Sequence, residues 1–209
     1  MEKLSLVALI SGRGSNLKAI IDAADPLVQV RAVISNRPHA KGLIHAQQVG
    51  IATEVLDHTQ FKSQRDFDTA LQARIDHYQS KLVILAGFMR ILSTEFVAHY
   101  QGCLLNIHPS LLPAFRGLHT HKRVLESGVK EHGASVHFVT EDLDAGPVII
   151  QARVPVFPND NEESLAARVL QEEHRIYPQA IHWFAQGRLQ LQGQRALLDG
   201  KPITFGEGN

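Results

Sequence analysis

The sequence has very little cysteine and no excess of charge, and each absence excludes a class of protein. A single cysteine stands in 209 residues, so no internal disulfide framework can form, and the composition suits a reducing cytoplasm. Lysine plus arginine equals aspartate plus glutamate at 21 each, which leaves a formal net charge of zero. The basic patch that nucleic-acid binding requires is therefore missing. We expect a cytoplasmic protein without a nucleic-acid partner.

Long apolar runs are also missing. No stretch is long enough to cross a bilayer, and residues 1–4 lead directly into a strand pattern, so we expect neither a membrane segment nor a signal peptide. The apolar fraction of 44% and the charged fraction of 20% are those of an ordinary globular protein. A chain of this length fits one domain and can bury a proper core.

Apolar runs alternate with helical spacing through the first half of the chain. The strand candidates are residues 4–10, 30–34, 52–56 and 82–86, and the clearest helical patterns between them are residues 41–49 and 67–78. This alternation is typical of a parallel sheet with right-handed crossovers, so it predicts an α/β fold.

The most informative stretch is residues 103–113, an apolar run that ends in two prolines. Its apolar start has the length of a buried strand, in which Cys103 is expected to be a small buried residue. Asn106 and His108 are two residues apart, which on a strand places both side chains on one face. Ligands of open α/β sheets bind at the carboxyl ends of strands. The pattern therefore predicts an amide and an imidazole in one ligand-binding patch.

A second strand pattern, residues 133–140, runs into an acidic turn that contains Asp144. If this turn meets the strand of Asn106, its carboxylate favours the charged imidazolium of His108. An imidazolium and an amide N–H are suited to stabilising the oxyanion of an acyl transfer. The residues alone leave other interpretations open: a structural histidine, an aspartate that serves the turn before Gly146, and an asparagine that caps the strand.

A glycine-rich turn follows the first strand and precedes helical spacing, an arrangement that presents backbone N–H groups to an anion. It is not a dinucleotide fingerprint, because Leu17 stands where the third glycine would be, and it lacks the Gly-Lys-Ser/Thr of a Walker A loop. We expect Gly14, Ser15 and Asn16 to bind one phosphate of a small ligand. The alternative is a tight turn in which Ser15 caps the helix.

Two further segments carry possible site residues. Met89, Ile91 and Leu92 are apolar where a loop should lie, so they form either a core contact at a helix start or a slot for a flat ring. His119 and His121 could suggest a metal pair, but no carboxylate or cysteine pattern accompanies them, so we expect no metal site.

The last third of the chain predicts an edge strand over 147–156, a long helix, and a hairpin tail over 187–204. Asp160 with Glu163 has the spacing of a capping box at the start of the helix. Pro178 is expected to bend that helix.

Two of these motifs together resemble the folate-dependent formyltransferases. They are Asn106-x-His108-Pro109-Ser110-Leu111-Leu112-Pro113, and Gly133-x-Ser135-Val136-x-Phe138-Val139 followed by Leu143-Asp144-x-Gly146. The resemblance runs from about residue 6 to residue 184. It implies the formyltransferase fold, a Rossmann-like three-layer α/β sandwich whose central sheet is parallel in its N-terminal half and mixed in its C-terminal part. It implies one domain over 1–209, with a phosphate-binding half over 1–100 and a catalytic and folate-binding half over 101–209.

The resemblance implies transfer of the formyl group of the co-substrate N10-formyltetrahydrofolate to the amine of 5′-phosphoribosylglycinamide in purine biosynthesis, without a metal. The implied catalytic residues are Asn106, His108 and Asp144. The residues implied for phosphoribosylglycinamide are Gly14, Ser15, Asn16 and Glu173. Those implied for the folate are Met89, Arg90, Ile91, Leu92, Asn106, Thr140, Glu141, Asp142, Leu143 and Asp144. The implied partners are small-molecule substrates, with no membrane and with a monomer or homodimer as the assembly.

One position departs from the family pattern. The family usually has an arginine for the glutamate tail of the folate in a Ser-Arg pair before the third helix, whereas the order here is Ser63-Gln64-Arg65. Arg65 fills this role from a shifted turn, or the contact is missing.

Three other functions stay open. Formyltetrahydrofolate hydrolases use a similar Asn-His-Asp set but normally carry an extra N-terminal domain and a second histidine where Pro109 stands. Methionyl-tRNA formyltransferases would need a C-terminal tRNA-binding domain and basic charge. A non-catalytic phosphoribosyl-binding module is the third alternative.

Overall fold

The computed structural model describes residues 2–205, and Met1 and residues 206–209 of the predicted domain lie outside the described residues. The strands of its main sheet are β1 (Leu4–Ile10), β2 (Val28–Ser35), β3 (Ala52–Val55), β4 (Leu82–Leu85), β5 (Leu104–His108), β6 (Glu131–Phe138) and β7 (Val148–Pro155). The helices are α1 (Ser15–Asp22), α2 (Gly42–Gln48), α3 (Gln64–His77), α4 (Thr94–His99), α5 (Thr120–Ser127) and α6 (Glu162–Ala185), with a short 3₁₀ helix at His58–Gln60. The predicted α/β class is confirmed.

The strand order is β3-β2-β1-β4-β5-β6-β7. All pairs from β3 to β5 are parallel, whereas β6 runs antiparallel to both β5 and β7. The parallel strands are connected through helices, as parallel pairs require, whereas β6 and β7 are joined by a turn. The predicted parallel half and mixed C-terminal part are therefore confirmed, and β7 is the edge strand that the flanking prolines indicated.

Two hydrophobic clusters cover the two faces of this sheet. On β1, Leu6, Ala8 and Ile10 face one cluster, while Val7 and Leu9 face the other, because side chains alternate along a strand. Helices α1, α2, α5 and α6 pack on the first face, and α3 and α4 pack on the second. This burial on both sides explains the continuous apolar run at β1 and gives the predicted three layers.

The C-terminal region corrects two local predictions. The capping box of α6 is formed by Asn161 and Ser164, one residue later than predicted, because Asn161 has the extended backbone of an N-cap. Asp160 instead binds Arg168, at 2.7 Å. The tail is a three-stranded antiparallel sheet of β8 (Leu189–Gln192), β9 (Arg195–Leu198) and β10 (Lys201–Pro202), so the predicted hairpin is extended by a third strand.

Within residues 2–205, no helix is both long enough and apolar enough to cross a membrane.

Candidate active site

Asn106 and His108 lie at the carboxyl end of β5, on the face of the sheet that carries α3 and α4. Between them, Ile107 packs into the opposite cluster, as the spacing predicted. Asn106 pairs with Leu85, the last residue of β4, so His108 extends beyond the end of the neighbouring strand. The two polar side chains therefore share one patch at a strand end.

The His108 ring is buried, with 6% of the residue exposed, and each of its nitrogens faces an oxygen. Nε2 lies 3.0 Å from the carbonyl oxygen of Phe115. A carbonyl only accepts, so Nε2 carries a proton. Nδ1 lies 3.3 Å from Oδ2 of Asp144. The Nδ1 edge of the ring therefore faces a carboxylate, which attracts an N–H and repels a lone pair.

Asp144 reaches His108 from a turn with an unusual backbone. Its φ is +49°, in the left-handed region that aspartate tolerates better than most residues. Oδ2 also accepts a hydrogen bond from the backbone N–H of Gly117, at 3.0 Å. A Cβ at Gly146 would lie 1.8 Å from the carbonyl oxygen of Phe138, so only glycine fits there. The turn is thus held in a shape that aims the carboxylate at the imidazole.

The sequence analysis missed His137, which lies beside both Asn106 and Asp144. His137 is directly opposite Asn106 across the antiparallel β5–β6 pair, and its Nε2 lies 3.1 Å from Nδ2 of Asn106. The same nitrogen is 3.7 Å from Oδ1 of Asp144. Burial lowers the pKa of His137, so its ring is neutral. The sequence feature that could have identified it is the two-residue spacing of Ser135 and His137 on a buried strand, which is the same spacing as that of Asn106 and His108.

A buried polar network holds the loop that follows β5. The hydroxyl of Ser135 donates to the carbonyl oxygen of Ser110 at 2.6 Å and accepts from the backbone N–H of Leu112 at 3.1 Å. The Gln151 amide donates to the carbonyl oxygen of Leu112 at 2.8 Å. This loop supplies the Phe115 carbonyl, so β6 and β7 help to orient His108 through it.

The glycine-rich turn after β1 is shaped by close backbone contact. Gly14 has a φ of +72°, and a Cβ there would lie 2.5 Å from Cα of Gly42. Helix α1 begins at Ser15 with Gly14 as its N-cap and without a side-chain cap, so the alternative in which Ser15 caps the helix is wrong. Uncapped N–H groups at a helix start are suited to an anion.

Asn16 and Glu173 are brought together although 157 residues separate them in the chain. Nδ2 of Asn16 donates to Oε2 of Glu173 at 2.6 Å. Glu173 is 7% exposed, and burial raises the pKa of its carboxyl. Among residues 2–205, Oδ1 of Asn16 is buried and has no hydrogen-bond partner. A buried acceptor without a donor is costly, so the site is suited to a ligand hydroxyl or amine.

Residues 87–93, called the folate loop after the prediction made for them, present part of their apolar surface to solvent. Met89 and Ile91 are 57% and 67% exposed, while Leu92 packs against the core. The core-contact alternative therefore holds for Leu92, and the other two remain available to a ligand. Two side chains fix the loop: the Ser11 hydroxyl accepts from the backbone N–H of Met89 at 2.7 Å, and the Gln64 amide donates to the carbonyl oxygen of Ile91 at 2.8 Å.

The remaining residues predicted for the folate differ in their surroundings. The Arg90 guanidinium lies over the Phe67 ring, 5.9 Å from its centroid. Arg65 is exposed on the first turn of α3, and the side chain that contacts the folate loop from this turn is Gln64. In the turn that leads to Asp144, Thr140 is half-buried. The three residues that follow it are exposed: Glu141, Asp142 and Leu143.

The two histidines considered for a metal are also placed by the structure. His119 is exposed, and Nδ1 of His121 lies 3.1 Å from Nε2 of His132. The described part of the chain contains no group of three or more histidine, cysteine or acidic side chains that could hold a metal ion.

Comparison with known proteins gives a consistent result. The family model described as "Formyl transferase" matches residues 4–181. The phosphoribosylglycinamide formyltransferase of Escherichia coli (strain K12) is 56% identical over 203 residues, which cover 96% of this chain and 96% of that protein. The Haemophilus influenzae protein of the same name is 43% identical over 206 residues, with 97% and 96% covered. A solved phosphoribosylglycinamide formyltransferase from Coxiella burnetii superimposes with a TM-score of 0.94 at 53% identity, and 97% of each chain is covered.

Proposed function

The chain belongs to the formyl transferase family, and we propose that Asn106, His108 and Asp144 carry out its reaction. It transfers the formyl group of N10-formyltetrahydrofolate to the amine of 5′-phosphoribosylglycinamide in purine biosynthesis. The observation that supports the catalytic roles best is the placement of the His108 ring between a backbone carbonyl and the Asp144 carboxylate. This environment favours a positive charge beside Asn106, where negative charge develops during the reaction.

The first step places negative charge on the formyl oxygen. The amine nitrogen forms a bond to the formyl carbon, and the electron pair of the C=O bond moves to oxygen. One N–H of the Asn106 amide donates to this oxyanion. The positive charge of the His108 imidazolium, whose N–H groups face Phe115 and Asp144, attracts it. Asp144 keeps the ring charged and oriented.

The second step releases the folate. As the C=O bond forms again, the bond between the formyl carbon and N10 breaks, N10 takes up one proton and the amine nitrogen loses one. No net proton is consumed. His108 delivers its proton to N10 as a general acid once one of its N–H groups turns away from the Phe115 carbonyl or the Asp144 carboxylate, and it then regains a proton from the amine nitrogen. Asp144 stabilises the charged ring until this transfer.

Different segments of the chain bind the two substrates. Gly14, Ser15 and Asn16 bind the phosphoribosyl end through the start of α1, and Glu173 is held against Asn16 to complete this subsite. Asn16 comes from residues 1–100 and Glu173 from residues 101–209, so this subsite draws on both predicted halves of the chain. The division into a phosphate-binding half and a catalytic half stays a prediction.

The folate site is supported by exposed apolar side chains on two loops. Met89 and Ile91 on the folate loop, and Leu143 beside Asp144, are exposed although they are apolar. Such surface suits a flat ring, with loop backbone groups reading its edge. Arg90, Leu92, Thr140, Glu141 and Asp142 belong to the same two segments. Arg65 remains a weaker prediction for the glutamate tail, because Gln64 is the residue of this turn that touches the folate loop.

An absorbance assay of formyl-folate loss, run with and without phosphoribosylglycinamide, tests the proposal. We expect loss only with the amine, together with one formylated amine per folate released. Loss at the same rate without the amine would indicate the hydrolase. Binding of the phosphoribosyl compound by calorimetry, without any turnover, would indicate a binding module. We place the reaction in the cytoplasm, where a free thiol such as Cys103 persists.

A further inference from the structure

We propose that His137 is a positioning residue that fixes the orientation of the Asn106 amide by accepting one of its two N–H groups. The proposal rests on the proposed function of Asn106 as an oxyanion donor. His137 itself is not required to touch either substrate.

The hydrogen bonds of the His137 ring define its tautomer. Nδ1 lies 2.8 Å from the carbonyl oxygen of Phe138, which can only accept, so Nδ1 carries the proton. In a neutral ring, Nε2 then has a lone pair. The 3.1 Å contact from Nδ2 of Asn106 to this nitrogen is therefore an N–H donated by the amide to the ring.

The surroundings of His137 keep the ring neutral. The residue is 2% exposed, and this burial is the main cause of its lowered pKa. The positive charges of His108 and Arg116 also oppose protonation, whereas the Phe138 carbonyl and the Asp144 carboxylate favour it. Burial outweighs the favourable contacts, so Nε2 remains an acceptor.

This acceptor decides which way the Asn106 amide points. An amide has an oxygen and an NH₂ group of nearly the same shape, so packing alone does not distinguish its two orientations. With a lone pair on Nε2 of His137, the orientation with Nδ2 towards the ring is favoured, because the reverse would set oxygen against a lone pair. One N–H is bound to His137, and the second stays free for the reacting oxygen.

The position of the pair is set by the sheet. Asn106 and His137 are directly opposite in a register that also pairs Leu105 with Phe138, Ile107 with Val136, and His108 with Ser135. Directly opposite residues on one face of an antiparallel pair are close enough to contact. The backbone ladder therefore holds donor and acceptor in place before any substrate binds, as an oxyanion site requires.

A double-mutant cycle tests the proposal, with kcat and both KM values measured for His137→Leu, Asn106→Ala and the double variant. Leucine removes the acceptor, and we expect kcat to fall by about 10-fold to 10²-fold with both KM values unchanged, which is below the loss of about 10²–10³ for a whole donor. Because His137 acts through Asn106, the double variant should be no slower than Asn106→Ala. A kcat of His137→Leu within a factor of about two of wild type, or losses that multiply in the double variant, would overturn the proposal.

A conservative variant separates the hydrogen bond from packing. In His137→Gln, the side-chain oxygen can lie near the position of Nε2 and accept from Asn106, so we expect kcat within about three-fold of wild type. Loss in His137→Gln equal to that in His137→Leu would contradict the role of the acceptor. His77→Leu, at an exposed position on α3, is the matched control for loss of a histidine.

Nitrogen NMR of the wild-type protein tests the tautomer directly and needs a variant only to assign the signals. The His137 signals are assigned by their absence in His137→Gln. We expect a protonated Nδ1 and an unprotonated Nε2 at pH 7, and a protonated Nε2 would overturn the proposal. Failure of the proposed function is distinguishable, because it would appear as a wild-type protein without amine-dependent transfer, whatever the tautomer.

Discussion

Replacement of Asp144 by asparagine removes one charge from the site and changes little else. The side chains have nearly the same shape, and the amide oxygen can still accept from the backbone N–H of Gly117. What is lost is the attraction between the carboxylate and the His108 ring. The substitution therefore isolates the electrostatic role that we assign to Asp144.

The size of the effect follows from the geometry of the pair. Unit charges separated by the 3.3 Å between Nδ1 and Oδ2 interact by about 5 kcal/mol at an effective dielectric constant of about 20. This value is an upper limit, because the amide and nearby water recover part of it. We expect kcat of Asp144→Asn to fall about 10²-fold to 10³-fold, which is about 3–4 kcal/mol in the activation free energy.

The assay is the absorbance change of formyl-folate consumption with both substrates saturating. Asp22→Asn is the matched control, because this aspartate is exposed and pairs with Lys18 on the surface of α1. Equal melting temperatures of the Asp144 variant and wild type would show that the fold is retained. A folded Asp144→Asn protein with near-normal kcat would refute the reasoning.

Two further predictions concern substrate binding and stability. Asn16→Ala leaves the buried Glu173 carboxyl without its hydrogen-bond donor. The KM for phosphoribosylglycinamide should therefore rise about ten-fold or more, while the KM for the folate stays constant. Steady-state kinetics measure both KM values, and equal changes in the two would contradict the assignment. Burial lowers the pKa of His121 and brings that of His132 to about 4, so the unfolded chain binds more protons between about pH 6.5 and pH 4. Stability should fall as the pH is lowered through this range, by at most about 3 kcal/mol for His132 and about half of that after solvent screening. Melting temperatures measured across this pH range test the prediction. If the melting temperature of His132→Phe fell as much as that of the wild-type protein, the prediction would be contradicted.

The parts of the site that follow from local patterns could be predicted from sequence. The two-residue spacing of Asn106 and His108 determines a shared face on any strand, and the apolar run before them indicates a strand end. The strand that leads to Asp144 could be recognised in the same way. The parallel sheet followed from the alternation of apolar runs with helical spacing. These inferences need no knowledge of which distant segments meet.

The parts of the site that could not be predicted from sequence depend on contacts between distant segments or on backbone atoms. The partner of His108 at Nε2 is a carbonyl oxygen of Phe115, which any residue type could supply. Gln64 reaches the folate loop across 27 residues of chain, and His137 meets Asn106 only through the register of β5 and β6. Helix α4 was missed because six residues give too short a window for helical periodicity.

The most direct test of the charged His108 ring is kcat of His108→Asn with both substrates saturating. Asparagine keeps an N–H donor but cannot carry a positive charge, so charge stabilisation of the reacting oxygen is lost. We predict a fall in kcat of about 10²-fold or more in a protein that melts at the wild-type temperature. A folded His108→Asn protein that transfers formyl groups within a few-fold of the wild-type rate would contradict this mechanism.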